Sequence, residues 1–130
     1  MAHPRIVEEW LAGWNAHDPV RAAAHFAEDA EFVSPSVVAM GFDPHGVLRG
    51  RAAIRAQAEA AFARYPSLRF ELEAVLEYGN RLVVVYRKLG VFAGKPGLTV
   101  EIFEIEAGKI RRSTVYWGVE EVAARFAPAR

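Results

Sequence analysis

Glu101 is the residue in this chain best placed to do chemistry. It sits in the run Leu98 to Gly118, LTVEIFEIEAGKIRRSTVYWG, and shares its alternate-position parity with Phe103 and Ile105. If the run is a strand, a carboxylate faces the same way as two large apolar side chains. Burial among such neighbours disfavours the charged form and raises the carboxyl pKa, so that the group can give or take a proton near neutrality. The competing reading puts Glu101 on the outer face or in an ion pair. Arg87 and Lys88 are the available cations: Lys88 has the parity of Leu82, Val84 and Tyr86, and a Lys88–Glu101 pair would pull the carboxyl pKa back down. Otherwise these two cations lie solvated at a strand end.

Two further groups qualify by type. His45 lies in a glycine- and proline-rich stretch where it could overhang a cavity mouth, and imidazole titrates in the right range. Ser34 could hydrogen-bond a ligand. Nucleophilic attack by it would need an adjacent histidine and an oxyanion hole, which the sequence does not offer. His17 and His25 are read as serving helix ends.

These residues need elements to position them. Pro4 followed by Ile6, Val7, Trp10, Leu11 and Trp14 is the stripe of an amphipathic helix. Asn15 to Asp18 interrupts it, and Asp18-Pro19 is an N-cap followed by proline at the first helical position. The second helix is read through Val20, Ala23, Phe26 and Ala27, ending near Asp29. Glu31 to Ser34 is a short strand, and Pro35 to Gly50 a long loop. Arg51 to Tyr65 is a third helix, stopped by Pro66. From Ser67 the period becomes two, with Leu68, Phe70, Leu72 and Ala74 on one face. Gly79-Asn80 turns the chain into Arg81 to Gly90, and Ala93 to Gly97 turns it into the final hairpin, closed at Ala107-Gly108-Lys109. Val119 to Phe126 suits a short terminal helix. Helices set apart from a run of antiparallel strands predict an α+β fold, with the helices on one face of a curved sheet.

The bulk numbers narrow the function classes. At 130 residues the chain is expected to form a single domain spanning 1–130. Sixteen Lys+Arg balance sixteen Asp+Glu, which gives no basic field for nucleic acid or an anionic membrane surface. There is no Cys and no His-x-His, so no metal site is expected and a cytoplasmic location fits. The glycine clusters lack the strand–loop–helix spacing of a phosphate loop. No apolar run is long enough to span a bilayer.

Several segments carry a resemblance to a known family. Trp14-Asn15-Ala16-His17-Asp18, Phe26-Ala27-Glu28-Asp29-Ala30, Gly50-Arg51-Ala52-Ala53-Ile54-Arg55, and Gly108-Lys109-Ile110 ahead of Tyr116-Trp117 resemble the SnoaL-like branch of the nuclear transport factor 2-like superfamily, in the right order over nearly the whole chain. The resemblance implies a cone-shaped α+β domain, three N-terminal helices on a strongly curved, mainly antiparallel sheet around an apolar cavity, and a homodimer formed through the outer sheet face. It also implies relatives as different as polyketide cyclases, ketosteroid isomerase and non-catalytic proteins.

Ketosteroid isomerase, a worked example of carboxyl pKa tuning, uses an Asp base with an oxyanion hole of Tyr and protonated Asp. Carried onto this chain, the base position falls on Ser34, the Tyr position on Trp10 and the protonated Asp on Glu101. Two of the three roles are changed. The expectation is a cofactor-free protein acting by proton transfer at Glu101, with His45 as a second catalytic candidate, on a small hydrophobic carbonyl compound. The alternative is a protein of the same fold that binds a hydrophobic ligand without converting it. In either case the pocket is expected to be lined by Trp10, Trp14, Phe26, Phe32, Ser34, Met40, Phe62, Tyr86, Lys88, Phe103 and Trp117. Val100, Ile102, Thr114 and Tyr116 have the opposite parity and are expected on the outer face.

Overall fold

The computed structural model describes residues 3–92 and 95–118. The chain runs α1 (Arg5–Asn15), α2 (Pro19–Ala23), β1 (Phe26–Val33), α3 (Pro35–Ala39), β2 (Val47–Arg49), α4 (Arg51–Arg64), β3 (Arg69–Tyr78), β4 (Arg81–Phe92), β5 (Lys95–Glu106) and β6 (Lys109–Trp117). The strands form one sheet in the order β2-β1-β6-β5-β4-β3. Only the β1–β6 pairing is parallel; every other neighbour is antiparallel. The fold is the α+β arrangement expected, a curved six-stranded sheet with helices at the N-terminal end. The expected terminal helix, Val119 to Phe126, lies outside the described residues, as do Ala93 and Gly94 of the expected β4–β5 turn.

The helices follow their sequence signals. Val7, Trp10 and Trp14 of α1 are buried, and Trp10 packs against Phe70, Tyr86 and Phe103 at ring-centroid separations of 5.3–5.6 Å, contacts of about 1 kcal/mol each beyond area burial. Asp18 caps α2 by accepting from the backbone N–H groups of Val20 and Arg21, with Pro19 behind it. The interrupting segment fastens α1 to the sheet. Asn15 donates to the Phe70 carbonyl and accepts from the Phe70 N–H. His17, at a φ of 54°, stacks on Phe62 and hydrogen-bonds the Leu68 carbonyl through Nε2.

Three expectations are corrected. The second helix stops at Ala23, and Phe26 begins β1 rather than continuing a helical face. The chain from Pro35 to Gly50 is not one long loop: Ser34 caps α3 and Val47–Arg49 pairs with β1, which leaves only 40–46 irregular between them. Finally, a bulge between Leu72 and Ala74 flips the parity of β3, so that Ala74 pairs with outward Val85 and Val75 with inward Val84. Val75, not Ala74, packs on the core.

Candidate functional site

Strand parity builds the site on three adjacent strands. Along β4 the burial alternates strictly, turning Leu82, Val84, Tyr86 and Lys88 to the core and Val83, Val85 and Arg87 outward. Glu101 of β5 lies opposite Val84 of β4 and Val115 of β6. Its polar partners are therefore the diagonal neighbours one inward step away, Tyr86 and Ser113. The Tyr86 hydroxyl donates to Glu101 Oε1 at 2.8 Å, and the Ser113 hydroxyl donates to Oε2 at 2.5 Å. Glu101 is 3% exposed, Tyr86 1% and Ser113 0%. The carboxyl is thus fully desolvated and each oxygen has one hydroxyl donor.

Desolvation dominates the electrostatics. It raises the Glu101 pKa above the usual carboxylate value, against the opposing pulls of Ser113, Tyr86 and the Lys88 charge. Burial next to this carboxylate pushes the Tyr86 phenol well above its ordinary value. Lys88, 7% exposed, is moved the other way: burial lowers its amine to about 8, although Glu101 partly restores it. The Lys88 ammonium lies over the rings of Phe70 and Trp117, at 5.6 and 5.9 Å. No Lys88–Glu101 ion pair within 4 Å occurs among the described residues. The two buried charges act on each other across open space.

That space is a partly open cavity of about 100 Å3. Trp14, Phe32, Ser34, Met40, Tyr86, Lys88, Glu101 and Trp117 line it, eight of the thirteen site residues picked out from the sequence. An apolar cavity of roughly 150 Å3 takes one benzene ring, so this smaller, partly open one suits a short chain, or a ring that reaches out through its open side. Trp10 and Phe26 are corrected to a separate void of about 10 Å3 behind Glu101. Phe103 and Phe62 reach neither: Phe103 packs on Trp10 and Phe26, while Phe62 packs on Trp14 and His17. Periodicity along a helix or strand sets the face of a side chain but not its depth, and these four lie where the helices cover the sheet. His45 is corrected as well. It is exposed, its N–H is held by Asp43, and it does not line the cavity.

The structure also adds residues that the sequence reading passed over. Gln57 of α4 is 2% exposed at the cavity wall; its Nε2 donates to Ser36 Oγ, and its Oε1 has no hydrogen-bond partner among the described residues. Its signal was available, because Gln57 falls on the stripe of Ile54, Ala58 and Ala61. Ser113 shares parity with Val115 and Trp117, but only the β5–β6 register puts it on Glu101. Ser34, expected to serve a ligand, spends its hydroxyl on Ser36 as the α3 cap while still lining the cavity. Among the described residues no cluster of His, Asp or Glu could hold a metal ion, and no helix is long and apolar enough to cross a membrane.

Known structures share this architecture. A SnoaL-like protein of unknown function from Burkholderia thailandensis is 28% identical, with a TM-score of 0.76 over 85% of this chain and 89% of its own. A putative polyketide cyclase from Sinorhizobium meliloti superposes at 0.73, with 24% identity over 88% of this chain and 95% of its own. A hypothetical protein with a ketosteroid isomerase-like fold from Catenulispora acidiphila, in complex with trimethylamine, superposes at 0.75, with 19% identity over 95% of this chain and 92% of its own. No curated protein matches by sequence. The SnoaL-like domain model matches residues 7–113, from the helix that covers the cavity to the serine that holds Glu101, and on that match the chain belongs to the SnoaL-like family.

Proposed function

We propose that the protein is a cofactor-free enzyme that moves a proton on a small, largely apolar carbonyl compound, with Glu101 as the transferring group. One observation carries this reading: a buried carboxylate with a raised pKa faces an apolar cavity that also contains a buried amine with no ion pair among the described residues. A carbonyl oxygen bound towards Lys88 would have its developing negative charge stabilised by the ammonium. The α-carbon would then lie near Glu101, whose carboxylate takes the proton while Ser113 and Tyr86 fix its orientation. The free Gln57 oxygen offers a place for a hydroxyl or N–H at the ligand's far end.

The test is α-hydrogen exchange into deuterated water, followed by NMR over a panel of small cyclic and open-chain ketones. Exchange is expected with the wild type and is expected to fall by about a hundredfold or more in Glu101→Gln. Binding of the same ketones without exchange would instead make this a ligand-holding protein of the same fold. We also propose that it forms a homodimer through the outer sheet face, where Val83, Val85, Val100 and Ile102 are only half-buried and Tyr116 is 54% exposed.

A further inference from the structure

Lys88 has features that a charge-stabilising role alone does not require. It is one of only three lysines, with Lys95 and Lys109, in a chain that carries thirteen arginines. Arginine serves for holding an anion and, being permanently charged, cannot become a nucleophile. The Lys88 amine is buried at the wall of the apolar cavity, with aromatic rings beside it, no ion pair among the described residues and a carboxyl on the neighbouring strand. The titratable groups lining the same cavity are Glu101, Tyr86 and Tyr65; β3 and β6 present the rings of Phe70 and Trp117, and α3 and α4 contribute uncharged Ser36, Met40 and Gln57.

We propose that Lys88 is an amine nucleophile that captures small aldehydes and ketones in the cavity as a protein-bound imine. The site would then be a covalent carbonyl-binding site as well as a proton-transfer site. The Lys88 nitrogen attacks the carbonyl carbon, forming the C–N bond and driving the π electrons onto oxygen. That oxygen takes one proton from the attacking nitrogen and a second from the carboxyl of Glu101. The C–O bond then breaks, water leaves, and an iminium remains on Lys88 opposite the Glu101 carboxylate. No redox partner is needed, and the step reverses by hydrolysis. Desolvation supplies the neutral amine that the attack requires: with the Lys88 amine held near 8 rather than 10.5, its uncharged fraction at mildly alkaline pH is on the order of a hundredfold above that of a solvated lysine.

The inference extends the proposed function to a defined ligand chemistry, yet it does not need Glu101 to act as a base on substrate. Its test reads capture rather than turnover. The protein is incubated with benzaldehyde, whose carbonyl can enter the cavity while its ring reaches towards the open side, and with sodium cyanoborohydride, which delivers hydride to the iminium and fixes it as a secondary amine. Intact-mass measurement and peptide mapping then locate the adduct. The expected result is one lysine adduct, at Lys88, formed about tenfold or more faster than at Lys95 or Lys109 and accelerating as pH is raised towards about 8, where the amine loses its proton.

Lys88→Arg keeps the charge but cannot form the imine, and Lys88→Gln removes both; each is expected to lose the fast adduct while circular dichroism shows a folded chain. Equal labelling of all three lysines, a fast adduct surviving in Lys88→Arg, or a rate at Lys88 that does not change with pH would each overturn the proposal. Tight binding of a carboxylate such as benzoate with no aldehyde capture would likewise overturn it, leaving Lys88 a simple anion-binding ammonium. Since Glu101→Gln is read by isotope exchange and the Lys88 variants by covalent capture, either idea can fail while the other stands.

Discussion

A buried amine and a buried carboxyl with no ion pair between them make opposite demands on folding, and both weaken it. An unfolded Lys88 would protonate below 10.5, whereas the folded one protonates only below about 8. Between those values the unfolded chain binds more protons, so wild-type stability rises as pH is raised through the window, and at neutral pH the burial costs about 3 kcal/mol. Lys88→Met is therefore expected to be more stable than wild type by about 1–3 kcal/mol at neutral pH in urea unfolding, with the advantage shrinking towards pH 10. An unchanged or lower midpoint at neutral pH would mean that the amine is better satisfied than its surroundings suggest. Glu101 has a folded pKa raised above its unfolded value, so its contribution falls as pH rises from the unfolded value through the folded one. Any proton-transfer activity should follow the same ionisation, with an acid limb displaced upward from the ordinary carboxylate value of 4.5. A limb at or below that value would mean that another group is the base.

The elements that hold this site are joined at a few close approaches. Gly13 of α1 lies so near α2 that a Cβ there would come 2.5 Å from the Ala22 backbone nitrogen. Backbone cannot rotate away as a side chain can, so Gly13→Ala must push α1 and α2 apart. The expected cost is about 1–3 kcal/mol despite the gain in helix propensity, read as a lower thermal midpoint. A second expected effect is quenching or shift of Trp10 and Trp14 fluorescence, since both rings lie on the displaced helix. Full stability in Gly13→Ala would show that the two helices slide freely. Capping illustrates how such contacts arise from local chemistry: Asp18-Pro19 and Ser34-Pro35 carry the same signal, and each starts a helix. The glycines and prolines beyond Ser34 favour a loop by composition, whereas a five-residue helix needs only its cap and one buried residue, Val37.

At the scale of the whole molecule, one face of the sheet is sealed by helices and the other is left with half-buried valines and isoleucine around Tyr116. A stable dimer needs about 800 Å2 per partner, and the outer faces of β4, β5 and β6 contribute Val83, Val85, Val100, Ile102 and Tyr116 towards it. Sedimentation at micromolar concentration is expected to give twice the 14.4 kDa chain mass, and Val100→Arg, placing a charge between Val85 and Tyr116 on that face, to return it to the monomer. Wild-type sedimentation as a monomer would remove the dimer and leave the outer face solvated.

The sequence by itself determined the parity of β4, β5 and β6, the amphipathic stripe of α1, the Asp18 cap and the inward direction of Glu101, Tyr86 and Lys88, because each depends on neighbours within a few positions. It also contained the family pattern. Only the tertiary structure decided which inward residues meet. Strand register set Tyr86 and Ser113 on the two oxygens of Glu101, a bulge in β3 exchanged Ala74 for Val75, and the lie of the helices walled off Trp10, Phe26, Phe62 and Phe103 from the cavity. Register and depth arise from contacts between residues far apart in the chain, and alternation along one strand carries no information about its neighbour. For the same reason Glu101 could be chosen from its own strand, while its lack of an ion pair with Lys88 could be seen only once β4 and β5 lay side by side.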